Sequence, residues 1–131
     1  MKIRWFSLLA GLTILVLGHW GGDLSALAPT LLGKIAYYCA GDICRFDLST
    51  GVDTDLTNSK AIDNHPKMSP DGTKIVFTST GGIYVMDSNG TNRTFLSSVG
   101  GHPYWSPDGT QIAFSIISST SNNGIWVMNA D

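Results

Sequence analysis

At 131 residues and a net charge of −2, the chain has room for at most one ordinary domain and lacks the basic surface of a general nucleic-acid binder. All 10 acidic residues are aspartate, and 15 glycines and 5 prolines stand among many Ser, Thr and Asn, a composition of turns and strands rather than helices. An all-β protein is expected once the first segment has passed.

That first segment is different. Lys2 and Arg4 precede an uncharged run from Trp5 to Leu17, shorter than the ~20 apolar residues of a spanning helix and within the roughly 7–15 of a secretory core. Ala26-Leu27-Ala28 offers a cleavage site, although Pro29 directly after it hinders signal peptidase. Residues 1–28 are read as a signal peptide or, uncleaved, as an N-terminal anchor helix over 3–20. Either way the destination lies outside the cytoplasm, periplasmic or extracellular.

Downstream the chain repeats itself. "HPKMSPDG" at 65–72 returns as "HPYWSPDG" at 102–109, and "GTKIVFTS" at 72–79 as "GTQIAFSI" at 109–116, both at an offset of 37. "GIYVMDS" at 82–88 returns as "GIWVMNA" at 124–130, the extra length falling in the polar 118–123 loop, where it costs little. A weaker upstream copy aligns "GKIAYYC" (33–39) and "DICRFDL" (42–48) at an offset of 40. Repeats of this period mark solenoids, propellers and arrays. Each unit reads as short strands, the first at Pro66–Ser69 or Pro103–Ser106, then a tight Pro-Asp-Gly turn. Proline presets φ there, and glycine takes the left-handed closing position. Pro70, Asp71 and Gly72, with Pro107, Asp108 and Gly109, are therefore turn residues. The central strands are nearly continuous apolar runs, so both faces of each sheet should be buried.

The pattern of Pro103, Trp105–Gly109, Ile112–Phe114 and Ile125–Met128 resembles the TolB-type, WD-like β-propeller repeat. The resemblance covers 34–131 and implies antiparallel four-stranded blades in a partial propeller over 29–131, the blades at about 34–58, 65–98 and 102–131. Strand one of the first unit and strand four of the last are missing from this count, leaving a fragment of about two and a half blades, whereas rings close with typically 4–8. Further blades downstream, several chains sharing one ring, and an open fragment stable alone are the three readings. The resemblance also implies an exported, non-catalytic binding or scaffold module with protein partners in the cell envelope, as in Tol–Pal-type complexes. The namesake has an α/β domain ahead of its propeller that is not seen here. The alternative is the propeller portion of a longer enzyme, such as a prolyl-oligopeptidase-type serine peptidase or a polysaccharide lyase.

The candidate site residues are few. His65 and His102 hold equivalent positions at the entry of the innermost strand, near a rim of the central channel, with Asn64 and Gly101 beside them. They are candidate partner or ligand contacts, although equivalent positions also recur for structural reasons. No third His or carboxylate stands at metal-ligand spacing, so neither metal nor cofactor is expected. Asp71 and Asp108 are read as turn locks that accept hydrogen bonds from Thr73 and Thr110. Phe77, Tyr84, Trp105 and Trp126 are read as blade packing. Cys39 and Cys44 flank a short turn, and export permits a disulfide if the register places them opposite one another. With no G-x-S-x-G, phosphate loop or nucleophile–base pair, the chain is not read as an enzyme.

Overall fold

The computed structural model describes residues 33–117 and 123–131; the expected signal or anchor segment 1–28 lies outside them. Among the described residues, ten strands form three antiparallel sheets. The first sheet is β1 (Lys34–Cys39), β2 (Asp42–Asp47) and β3 (Val52–Asp55). The second is β4 (Asn64–Met68), β5 (Lys74–Ser79), β6 (Gly82–Asp87) and β7 (Thr94–Ser97). The third is β8 (Gly101–Trp105), β9 (Gln111–Ile116) and β10 (Gly124–Asn129). Within each sheet the strands pair in chain order, and no helix occurs among the described residues. The described residues are all-β.

The middle sheet is the sandwich filling. Successive strand residues point to opposite faces, and β5 uses both. Ile75 and Phe77 join Ile43 and Met86 in a core against the first sheet. Val76 joins Ile83, Ile112 and Phe114 in a core against the third. Continuous apolar strands are thus explained by two buried faces. The outer face of the third sheet shows what one missing neighbour does. Ile125 and Val127 repeat Ile83 and Val85, yet they are 76% and 57% exposed where their counterparts are 0% and 6%. Polar links also cross between sheets. Trp105 Nε1 donates to the Lys67 carbonyl at 2.9 Å, and an Arg45 Nη donates to the Ser88 carbonyl at 2.8 Å.

Hairpin geometry follows from local chemistry. In both Ser-Pro-Asp-Gly turns the glycine N–H returns to the serine carbonyl at 2.9 Å, and Gly72 and Gly109 each sit at φ +73°, a region that disfavours side chains. Cys39 and Cys44 form a disulfide with Cα atoms 5.8 Å apart. They are not direct register partners, since Cys39 faces Asp42 and Cys44 faces Tyr37. The bond is a diagonal one on a single face of the hairpin.

One boundary differs from the sequence reading. Strands β4 and β8 begin two residues before Pro66 and Pro103. The pairing shifts between Asn64 and Lys67, and again between Gly101 and Tyr104. In each case two residues, His-Pro, oppose a single phenylalanine, Phe77 or Phe114, which is a β-bulge. Proline suits a bulge because it has no N–H to offer the ladder.

Candidate functional site

The bulges place the two histidines. His65 and His102 both adopt φ +52°, a left-handed conformation that glycine fills more cheaply than a residue with a side chain. Strands β4 and β8 lie side by side, so the bulged residues of neighbouring sheets meet. The two imidazole centroids are 4.0 Å apart, the rings tilted by 50°, and both residues are exposed. A separation of 37 positions in sequence thus becomes a ring contact.

Each ring has one nitrogen held from behind. His65 Nδ1 lies 2.8 Å from Asn64 Oδ1. An amide oxygen only accepts, so Nδ1 carries the proton. His102 Nδ1 lies 3.4 Å from Ser115 Oγ. That hydroxyl also donates to the Gly101 carbonyl at 3.1 Å. Gly101 therefore contributes its backbone carbonyl to the support of the pair. Partial burial, then His102 and Lys67, hold the His65 pKa below the ordinary imidazole value. Two residues along each strand, the Lys67 ammonium sits 4.5 Å above the Tyr104 ring.

The aspartates lie at the other end of these strands and accept hydrogen bonds from their own turns. Asp71 Oδ1 accepts from Ser69 Oγ at 2.6 Å and from the Thr73 N–H at 3.0 Å. Asp108 accepts from Ser106 Oγ and from the Thr110 N–H and hydroxyl. Between the two turns runs a groove of about 380 Å³ lined by Ser69, Asp71, Lys74, Trp105, Asp108 and Thr110, among others. Its turn carboxylates accept local hydrogen bonds, which makes them turn locks.

Those bonds carry a pH signature. Donation from Ser106, then from the Thr110 N–H and hydroxyl, lowers the Asp108 pKa from 3.8 to about 2; Ser69 and Thr73 lower that of Asp71. A carboxyl whose folded pKa is depressed adds stability above its unfolded pKa and loses it as pH falls through the folded value. Denaturant titrations of the wild type and Asp108→Asn should therefore differ at neutral pH. The gap should close as pH falls from about 4 to about 2. A gap that stays constant over this window would count against the lock.

A cluster unreadable from spacing sits in the first sheet. Asp55 is the register partner of Cys44, and its carboxylate lies within 4.8 Å of both cysteine sulfurs. The sulfurs are bonded to each other, so in this form they are not metal ligands.

No family model matches the sequence. Among solved structures, a protein assigned as TolB from Agrobacterium tumefaciens aligns over 68% of this chain and 37% of its own, with 27% identity and a TM-score of 0.59. TolB from Acinetobacter baumannii aligns over 73% of this chain and 26% of its own, with 28% identity and a TM-score of 0.57. A chain of a nidogen/laminin complex shares the fold alone, at 18% identity and a TM-score of 0.53 over 74% of this chain and 45% of its own. The chain spans less than half the length of each of these. The three sheets and the two TolB alignments agree: the described residues form TolB-like β-propeller blades.

Proposed function

We propose that this chain is an exported, non-catalytic binding module that engages a protein partner of the cell envelope through the rim bearing His65 and His102. One observation carries the reading: two neighbouring blades use strained bulges to bring two exposed imidazoles to 4.0 Å. Backbone strain of this kind costs about 1–3 kcal/mol per residue and collects at functional sites. Asp71 and Asp108 hold their own turns instead, and Phe77, Tyr84 and Trp105 pack or bond within and between the sheets, whereas Trp126, read as blade packing, is half-exposed. The apolar, lysine-flanked segment at 2–28 supports export.

The test is the double variant His65→Asn/His102→Asn in the full chain, expressed in its native envelope. Asparagine tolerates the same backbone conformation, so circular dichroism and the melting temperature should hold. Capture of the envelope partner, measured by crosslinking and affinity recovery, should fall at least about tenfold, the scale of an interface hot spot. Undiminished capture would overturn the rim assignment. Turnover of a peptide or uronate substrate by the purified chain would overturn the non-catalytic reading.

A further inference from the structure

Among the described residues, the first and third sheets each leave one face without a neighbouring sheet. Strand alternation sends Ile75 and Phe77 of β5 toward the first sheet, and Val76, with Ile83 of β6, toward the third. In the first sheet Ala36 and Ile43 pack on the middle sheet. Ile35 and Tyr37 of β1, with Phe46 opposite Ile35 in β2, therefore point away from it. In the third sheet Ile112 and Phe114 pack on the middle sheet. Ala113 of β9, with Ile125 and Val127 of β10, therefore point away. The repeat equates Ile35 and Tyr37 with Ile75 and Phe77, and Ile125 and Val127 with Ile83 and Val85. The two open faces are thus the two halves of a contact the chain already makes inside itself. We infer that the open face of the third sheet docks onto the open face of the first sheet of a second copy, and reciprocally, closing a ring of six sheets.

Within the chain this pairing of faces excludes water. Ile75 and Ile83 are 0% exposed, while their equivalents Ile35 and Ile125 are 49% and 76% exposed. Apolar surface left in water drives association, and contiguous exposed patches of it mark protein–protein sites. No charged residue stands in β9 or β10. On the facing side, Asp53 lies on the edge strand β3 opposite Phe46 and accepts the Tyr37 hydroxyl, a polar group at the rim of the contact. A head-to-tail contact either closes into a ring or grows into a filament, according to the rotation it imposes. Three sheets per chain give six for two copies, within the 4–8 at which propellers typically close, whereas three copies would give nine. A second copy also covers both faces at once, whereas any lone added sheet leaves two faces open again.

The pairing is independent of the histidines, and its test needs no envelope partner. The full chain, followed by sedimentation equilibrium over a concentration series, should show twice the mass of one chain. Dilution should return single chains, whose third sheet keeps one side open. Ile125→Lys and Ile35→Asp should each weaken association about tenfold or more, the scale of an interface anchor. Circular dichroism should hold in both, because the replaced side chains are exposed in the single chain. An equimolar mixture of the two variants should regain dimers, since each keeps one native face and the altered faces carry opposite charge. Ile62 is exposed in the link between the first and second sheets, and Ile62→Asp should leave the mass unchanged. A single-chain mass at every concentration overturns the two-copy ring and leaves the open faces to further sheets of a longer protein. Association that survives Ile35→Asp overturns the head-to-tail pairing, and growth to larger masses overturns closure.

Discussion

Arg93→Ala should lower folding stability by about 3 kcal/mol, the low end of what unpairing a buried charge costs. Asp63 is fully buried in the link between the first and second sheets, where its N–H donates to the Gly41 carbonyl at 2.8 Å. Arg93 meets its carboxylate with two nitrogens, each at 3.3 Å, and donates to Ser79 Oγ at 2.7 Å. The guanidinium also lies 4.4 Å from the Tyr84 ring and 4.9 Å from the Phe77 ring. Removing it leaves the carboxylate with Ser59 Oγ at 3.2 Å as its remaining side-chain donor. The arginine side chain is 32% exposed, so water can partly replace it, which places the loss at the low end. Urea titration is the measurement. Arg93→Lys should fall between, because an ammonium cannot make the forked contact. Asp63→Asn added to Arg93→Ala should recover part of the loss, because the stranded charge is gone. A change below about 0.5 kcal/mol in Arg93→Ala, the level of an ordinary surface substitution, would dismiss the clamp.

This clamp was invisible in the sequence, and the reason is physical. Asp63 and Arg93 are 30 positions apart, and neither belongs to the columns that repeat. Periodicity reports what recurs, such as the apolar Ile75–Phe77 and Ile112–Phe114 segments, whose two buried faces dictate their composition. The strands and their antiparallel order were legible for that reason. Hairpin chemistry was legible as well, because proline and glycine act on their own backbone. The His-Pro bulges were not, since a shift in pairing depends on the partner strand. Nor was the contact between the histidines, which arises only when two blades stack. Asn64 was singled out as a neighbour of His65, and the structure gives it a role as hydrogen-bond acceptor. Ser115 was missed: it stands 13 residues from His102, and its repeat column, which pairs it with Thr78, gives no sign of that contact. The sequence signal that could have found it is the register itself, which sets Gly101 opposite Ser115.

Phe77→Ala should cost about 3–5 kcal/mol, the usual loss for a large aromatic removed from a closed core. Against the roughly 5–15 kcal/mol of a typical domain, that should leave much of the protein unfolded at 37 °C. Phe77 is fully buried between Ile43, Ile75 and Met86, its ring stacked with Tyr84 at 6.0 Å between centroids. It also carries the underside of the Arg93 guanidinium, so the Phe77→Ala/Arg93→Ala pair should be non-additive in a double-mutant cycle. Phe114 supplies an internal comparison, because it holds the equivalent place opposite the second bulge. It packs against the middle sheet, but its own sheet is open on the other side, with Ile125 and Val127 exposed. Neighbours with free space can settle into a cavity, which reduces its cost. Phe114→Ala should therefore destabilise less than Phe77→Ala when the two are compared in urea at equal pH and temperature. Equal losses would mean that sheet stacking does not grade the core, and that the middle blade is not its most closely packed layer.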